Sequence, residues 1–184
     1  MATRGNIRII GGEWRSRIIT FPNQGDLRPT PDRVRETVFN WLGQDLSGKI
    51  CLDLFAGSGV LGFEAASRGA KQVVMIESDP RVYKALQESK VKLKATQIEL
   101  VMMKAMAFMV SDLRQFDVVF LDPPYRLELL PKLLSILPSH LAKDSLVYIE
   151  GENFLIPDKH WLVWRSKRAG KVCYQLIKLT DANG

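Results

Sequence analysis

The chain is poor in the residues that most often hold metals or cross-links, with two cysteines and two histidines in 184 residues. Cys51 and Cys173 both lie inside apolar runs, without a Cys-x-x-Cys spacing. Buried thiols in a reducing compartment are therefore expected, and no disulfide, zinc site or other metal. No apolar run approaches the roughly 20 residues that span a bilayer. The opening "MATRGNIRII" has no apolar stretch of the secretory kind. The expectation is a cytoplasmic protein without a membrane partner. Internal repeats and low-complexity tracts are absent as well.

What is present is ordinary globular material, 46% hydrophobic and 25% charged, enough for one domain with its own core. A single domain over 1–184 is expected, with a basic extension (1–48) ahead of a core (49–184). Charge is spread unevenly around the net +6. Residues 1–35 hold seven arginines against three acids, 156–184 hold six basic residues against two acids, and the middle holds 13 against 15. Basic flanks suit a polyanionic partner, because Lys and Arg contacts to phosphate supply most sequence-independent affinity. Solubility is the plainer explanation, and the preference for arginine at the start tilts towards phosphate.

The order of elements is read from periodicity. "NIRIIGGEWRSRIITFP" predicts a hairpin about Gly11-Gly12, and Thr30-Pro31 predicts the N-cap of a helix with Val34, Val38 and Leu42 on one face. From Lys49 onward, apolar strands alternate with helices: "KICLDLF", "QVVMIES", "IELVMM", "DVVFLD" and "SLVYIEG" are the strands. That alternation predicts an α/β, doubly wound, mostly parallel sheet. The tail, "HWLVWRSKRAGKVCYQLIKL", predicts an antiparallel hairpin turning at Ala169-Gly170.

The chemistry sits at strand ends. "LDLFAGSGVLG" places Gly57, Gly59 and Gly62 in a G-x-G-x-x-G pattern after a strand and before a helix. That pattern alone suits any dinucleotide. Asp53, just upstream, would repel a pyrophosphate but welcome S-adenosylmethionine (SAM), which has no phosphate and carries a sulfonium and an ammonium group. Glu77 ends the next strand, where nucleoside-binding α/β folds place an acid on the ribose hydroxyls. "DVVFLDPPY" ends a third strand in Asp122, a stiff Pro123-Pro124 turn and Tyr125. An exocyclic amine is a poor nucleophile, because its lone pair is delocalised into the ring. Acceptors at Asp122 and the Pro123 carbonyl, with Tyr125 as a stacking ring, would orient such an amine on a single base. Catalysis would then be mostly positioning.

"DPPY" together with "DLFAGSG" resembles the class I SAM-dependent amino-methyltransferases. With "RIIGGEWRSR" and "LRPTPDRVRETVFNWL" added, the chain resembles the bacterial 16S rRNA guanine-N2 methyltransferases of the RsmD type over nearly its whole length. The resemblance implies a Rossmann-like seven-stranded fold and SAM as cofactor. Its implied substrate is 16S rRNA within the small ribosomal subunit or an assembly intermediate. Carried over by motif, it puts Asp53 and the loop of Phe55, Ala56, Gly57, Ser58 and Gly59 on the methionine part of SAM. Glu77 falls at the ribose and Ser78 elsewhere in the cofactor site, with Ala105 and Met106 at the adenine. Asp122, Pro123 and Tyr125 are the implied catalytic group, with Pro124 beside the RNA. Tyr125 stands where the family more often has Phe, and Lys104 where a small polar residue is commoner. Arg8, Arg15, Arg17, Arg28, Arg33 and Arg35 are the candidate RNA contacts, "RSKRAGK" (165–171) is a second basic patch, and Trp14 is expected to pack. A monomer is the simpler expectation. Three alternatives stay open: a DNA adenine-N6 methyltransferase, which also uses "DPPY"; a nicotinamide oxidoreductase, disfavoured by Asp53; and a non-catalytic assembly factor.

Overall fold

The computed structural model describes residues 4–25, 27–124 and 128–180. Strands β1 (Arg4–Arg8) and β2 (Ile18–Pro22) pair antiparallel, and α1 (Asp32–Leu42) follows. The α/β core then runs β3 (Ile50–Asp53), α2 (Val60–Ser67), β4 (Gln72–Glu77), α3 (Pro80–Leu93), β5 (Ile98–Met102) and α4 (Ala105–Ser111). It continues through β6 (Phe116–Leu121), α5 (Leu130–Ile136), β7 (Leu141–Gly151), β8 (Trp161–Ala169) and β9 (Val172–Leu179).

The main sheet has seven strands in the order β5-β4-β3-β6-β7-β9-β8. The first five are parallel, and β9 runs antiparallel to both β7 and β8. The chain winds outward from β3 through β4 to β5, then returns to β6 on the other side of β3. This reversal opens a crevice at the carboxyl ends of β3 and β6, the place where open α/β sheets bind ligands. The central strands are apolar without interruption because both faces are covered. One face packs Val34, Val38 and Phe39 of α1, Phe63 and Ala66 of α2, and Leu86 of α3. The other packs Phe108 and Met109 of α4 and Leu133 of α5.

Two local expectations are corrected here. Gly11-Gly12 is not the tip of a tight hairpin: a nine-residue loop, 9–17, joins β1 to β2. The loop is long because it docks on α2. Ile10 N–H donates to Glu64 Oε1 at 2.6 Å, Trp14 N–H to Ser67 Oγ at 2.9 Å, and Ser67 Oγ to the Gly11 carbonyl at 2.6 Å. Trp14 is buried there as a packing residue. Thr30 does not cap α1; Pro31 is the cap residue, no side chain bonds the first turn, and the Thr30 hydroxyl donates to Glu150 Oε2 at 3.1 Å.

Arg35 is the third correction. It is fully buried and therefore out of reach of RNA. Its guanidinium donates to Glu64 Oε1 at 2.6 Å, to the Arg8 carbonyl at 2.9 Å and to the Thr30 carbonyl at 3.0 Å, and it pairs with Asp32. Glu64 is equally buried and also meets Arg68, whose guanidinium lies 4.5 Å over the Phe39 ring. Such an interior network ties β1, α1 and α2 together, and breaking a buried pair costs about 3–5 kcal/mol.

Candidate active site

Four neighbouring strands end in carboxylates: Glu77 on β4, Asp53 on β3, Asp122 just past β6 and Glu150 on β7. Burial differs along this row. Asp53 is 2% exposed, and its Oδ2 accepts the Gly62 N–H at 3.1 Å. Burial pushes its carboxyl up to about 7, opposed by the Gly62 and Phe55 amides and reinforced by the negative charge of Glu77.

The glycine loop between β3 and α2 is pinned from both sides. Leu54 N–H donates to the Phe120 carbonyl at 3.2 Å, and Ala56 N–H to the Ile76 carbonyl at 2.9 Å. Gly59 caps α2 at φ 81°, and a Cβ there would fall 2.5 Å from Leu86 Cδ2. Gly62 lets α2 lie on β4, since a Cβ would meet Met75 at 2.8 Å. Ser58 is buried and its Oγ faces the Val60 amide at 3.4 Å. Glu77 acts as a bracket for this loop: Oε2 accepts the Gly57 N–H at 3.1 Å, while Oε1 accepts Ser78 N–H and Asp79 N–H at 2.8 Å each. Ser78 itself is exposed. Beside it, Phe55, Val101, Met103, Ala105 and Met106 form a half-buried apolar strip, with Met103 N–H held by the Glu77 carbonyl at 3.1 Å. A half-buried acid next to an apolar strip fits a nucleoside.

On the other side of the crevice Asp122 is half-buried, Pro123 is buried and Pro124 is exposed; Tyr125 lies outside the described residues. Burial, then the charges of Glu150 and Asp53, hold the Asp122 carboxyl well above the usual carboxylate range. Glu150 is raised by burial too, although the hydroxyls of Tyr148 (2.8 Å) and Thr30 (3.1 Å) donate to its Oε2. With no donor or cation facing them, two acids this close do not both ionise readily; hydrogen bonds to the charged forms, or a positive charge beside them, favour ionisation of both. Burial and Glu150 keep the Tyr148 phenol far above its ordinary value, so it remains a donor.

The family model described as conserved hypothetical protein 95 matches residues 7–178. The chain is 44% identical over 180 residues to the ribosomal RNA small subunit methyltransferase D of Escherichia coli strain K12, covering 95% of this chain and 90% of that one. The chain belongs to the RsmD family of methyltransferases. The Haemophilus influenzae protein of the same name is 41% identical, with 95% of each chain covered. The solved structure of Escherichia coli yhhF superposes with a TM-score of 0.86 at 42% identity, covering 95% of this chain and 98% of that one.

For an RsmD-family chain the row of acids holds one member that the sequence did not reveal. Glu150, with its donors Thr30 and Tyr148, sits inside "VYIEG" and "RPTPD", which read as strand and cap. Of the basic candidates, Arg8, Arg15, Arg17, Arg28 and Arg33 are exposed, whereas Arg35 is not. Arg17 spends one donor on the Lys92 carbonyl at 3.3 Å. In the second patch, Arg165, Lys167, Arg168 and Lys171 are exposed, with Arg165 stacked 4.5 Å over the Trp164 ring.

Proposed function

We propose that this RsmD-family chain methylates the exocyclic N2 amine of a guanine in 16S rRNA, within the small ribosomal subunit or an assembly intermediate. SAM is the proposed donor. The observation that carries the reading is the row of acids around the glycine loop. A glycine loop flanked by Asp53 and Glu77 is a poor host for a pyrophosphate and a good one for a ligand bearing a sulfonium and an ammonium group, while Asp122 and Glu150 lie on the far side of the crevice, where the base would enter. The relatives named as ribosomal RNA small subunit methyltransferases support the substrate class.

In this reading Asp53 and the loop Phe55 to Gly59 hold the methionine end of SAM. Glu77 meets the ribose, Ser78 lies elsewhere in the cofactor site, and Ala105 and Met106 meet the adenine. When bound, SAM would supply a methyl group on a sulfonium for in-line displacement, the electron pair of the broken S–CH3 bond leaving on the neutral thioether of S-adenosylhomocysteine. Asp122 accepts one N2–H of the base and the Pro123 carbonyl accepts the other, which frees the nitrogen lone pair to turn towards the methyl. Asp122 then takes the proton that the amine loses, a task suited to a carboxylate whose proton affinity is raised. Tyr125 provides a face for the base. Arg8, Arg15, Arg17, Arg28 and Arg33 contact phosphates, with Pro124 at the rim.

The test is mass spectrometry of 16S rRNA fragments after incubation of small subunits with the protein and SAM, run beside duplex DNA. A gain of one methyl on a guanine N2 is the expected result. Methyl transfer to DNA alone would overturn the proposal. Asp122→Ala is expected to keep SAM affinity near wild type and to abolish transfer; normal transfer by this variant would sink the assigned role.

A further inference from the structure

The β6–β7 ladder pairs Phe120 with Tyr148 and Leu121 with Ile149, so Asp122 and Glu150 are the next residues along. Residues two apart on a strand share a face. Asp122 therefore stands beyond Phe120, and Glu150 beyond Tyr148. The two rings confirm the shared face, meeting edge to face with centroids 6.2 Å apart, and Tyr148 Oη donates forward to Glu150 Oε2. Two carboxylates thus stand side by side, on backbones spaced by about 4.8 Å, at the mouth of the crevice.

Glu150 is held in an unsymmetrical way. Both hydroxyl donors, Thr30 and Tyr148, reach the same oxygen, Oε2. Oε1 has no partner among the described residues. A fixed acid with one oxygen unbonded among the described residues has lone pairs left to receive a donor.

We infer that Glu150 reads the ring N1–H of the target guanine through Oε1 while Asp122 engages the N2 amine, so that the pair selects guanine over purines whose N1 is an unprotonated acceptor. The inference rests on the guanine-N2 reading above. The Watson–Crick edge of guanine presents two adjacent donors, N1–H and N2–H, which match two adjacent carboxylates. Adenine and 2,6-diaminopurine present a lone pair at N1, which a carboxylate repels. Thr30 and Tyr148 are positioning residues, since they aim Glu150 without touching the base.

The experiment uses small subunits reconstituted with either guanine or 2,6-diaminopurine at the mapped target, the latter keeping the N2 amine and losing N1–H. Wild-type protein is expected to favour guanine in kcat/KM by roughly 100-fold, the scale of a hydrogen bond to a charged group. In Glu150→Gln the two hydroxyls retain the amide oxygen and the NH2 turns to the base. Guanine then falls by about 100-fold, and the preference shrinks to near unity or reverses, with SAM affinity unchanged. Glu150→Asp keeps the charge and should keep the preference at a lower rate. Thr30→Val should keep it as well. If Glu150→Gln folds, binds SAM and retains the wild-type preference, or if wild type takes both bases equally, the inference falls while the guanine-N2 reading stands. If wild type modifies no guanine N2, the underlying reading falls first.

Discussion

Asp53→Asn removes a titratable group that the fold holds in an unfavourable place. An aspartic acid with an ordinary value of 3.8 that is pushed up to about 7 binds its proton more tightly folded than unfolded. Between those values the native state carries more protons than the unfolded state, so stability falls as pH rises through that window. Above pH 7 the full cost is present, about 4 kcal/mol at 1.36 kcal/mol per unit over roughly three units. Asparagine keeps an oxygen for the Gly62 amide and has no charge to desolvate. The variant should therefore be 2 to 4 kcal/mol more stable than wild type at pH 8, and about equal to it below pH 4.

The same substitution should impair binding of the proposed donor. If SAM binds the ionised form of Asp53, apparent affinity at pH 6 is weaker by about tenfold than its high-pH limit, and binding releases about 0.9 proton at pH 6 and about 0.1 at pH 8. Calorimetry in two buffers of different ionisation enthalpy reads both quantities, and denaturant melts at pH 4, 6 and 8 read the stability. The Asn variant should show a flat profile and weaker binding. Wild-type affinity that does not change between pH 5.5 and 8, or a variant no more stable at pH 8, would refute the reasoning.

Replacing Arg28 and Arg33 with Ala should weaken binding to small subunits and flatten the plot of log affinity against log salt by about 1 per arginine; an unchanged slope removes them from the RNA face. Arg35→Ala should leave that slope alone and lower stability by about 3–5 kcal/mol, since Glu64 is left buried and unpaired; a loss under about 1 kcal/mol in urea titration would contradict the network. Gly59→Ala must hold φ near 81° and displace Leu86, so it should lose about 1–3 kcal/mol of stability and at least tenfold in cofactor affinity by calorimetry. Wild-type affinity in that variant would show that the loop tolerates a side chain.

The sheet was legible because its strands are uninterrupted apolar runs, and Asp53, Glu77 and Asp122 stood out as acids at the ends of such runs. Glu150 did not, since "SLVYIEG" reads as one strand and its acid gains meaning only once β7 lies beside β6. Arg35 misleads for a different reason. Arg33 and Arg35 look equivalent along the chain, but Val34, Arg35, Val38 and Phe39 follow the i, i+1, i+4, i+5 spacing of one buried helix face. A charge on that face needed an interior partner, Glu64, which lies 29 residues away on α2 and has no local signal. Thr30 likewise had the look of a cap, while its acceptor is 120 residues downstream.

These long-range contacts change what the basic extension is for. A hairpin that merely added positive charge could hang anywhere on the core. Here Arg35 anchors the Arg8 carbonyl and the Thr30 carbonyl to Glu64, which rides on the helix that begins at the glycine loop. From the same segment Thr30 reaches Glu150, beside Asp122. Exposed Arg28 and Arg33 lie within three residues of Thr30. The residues offered to phosphate, the acid row and the glycine loop are therefore fixed to one rigid frame. Phosphate contacts carry no sequence information of their own. In the proposed reading they would set, on this frame, where the base edge falls relative to the acids, which is the geometry an enzyme relying on positioning requires.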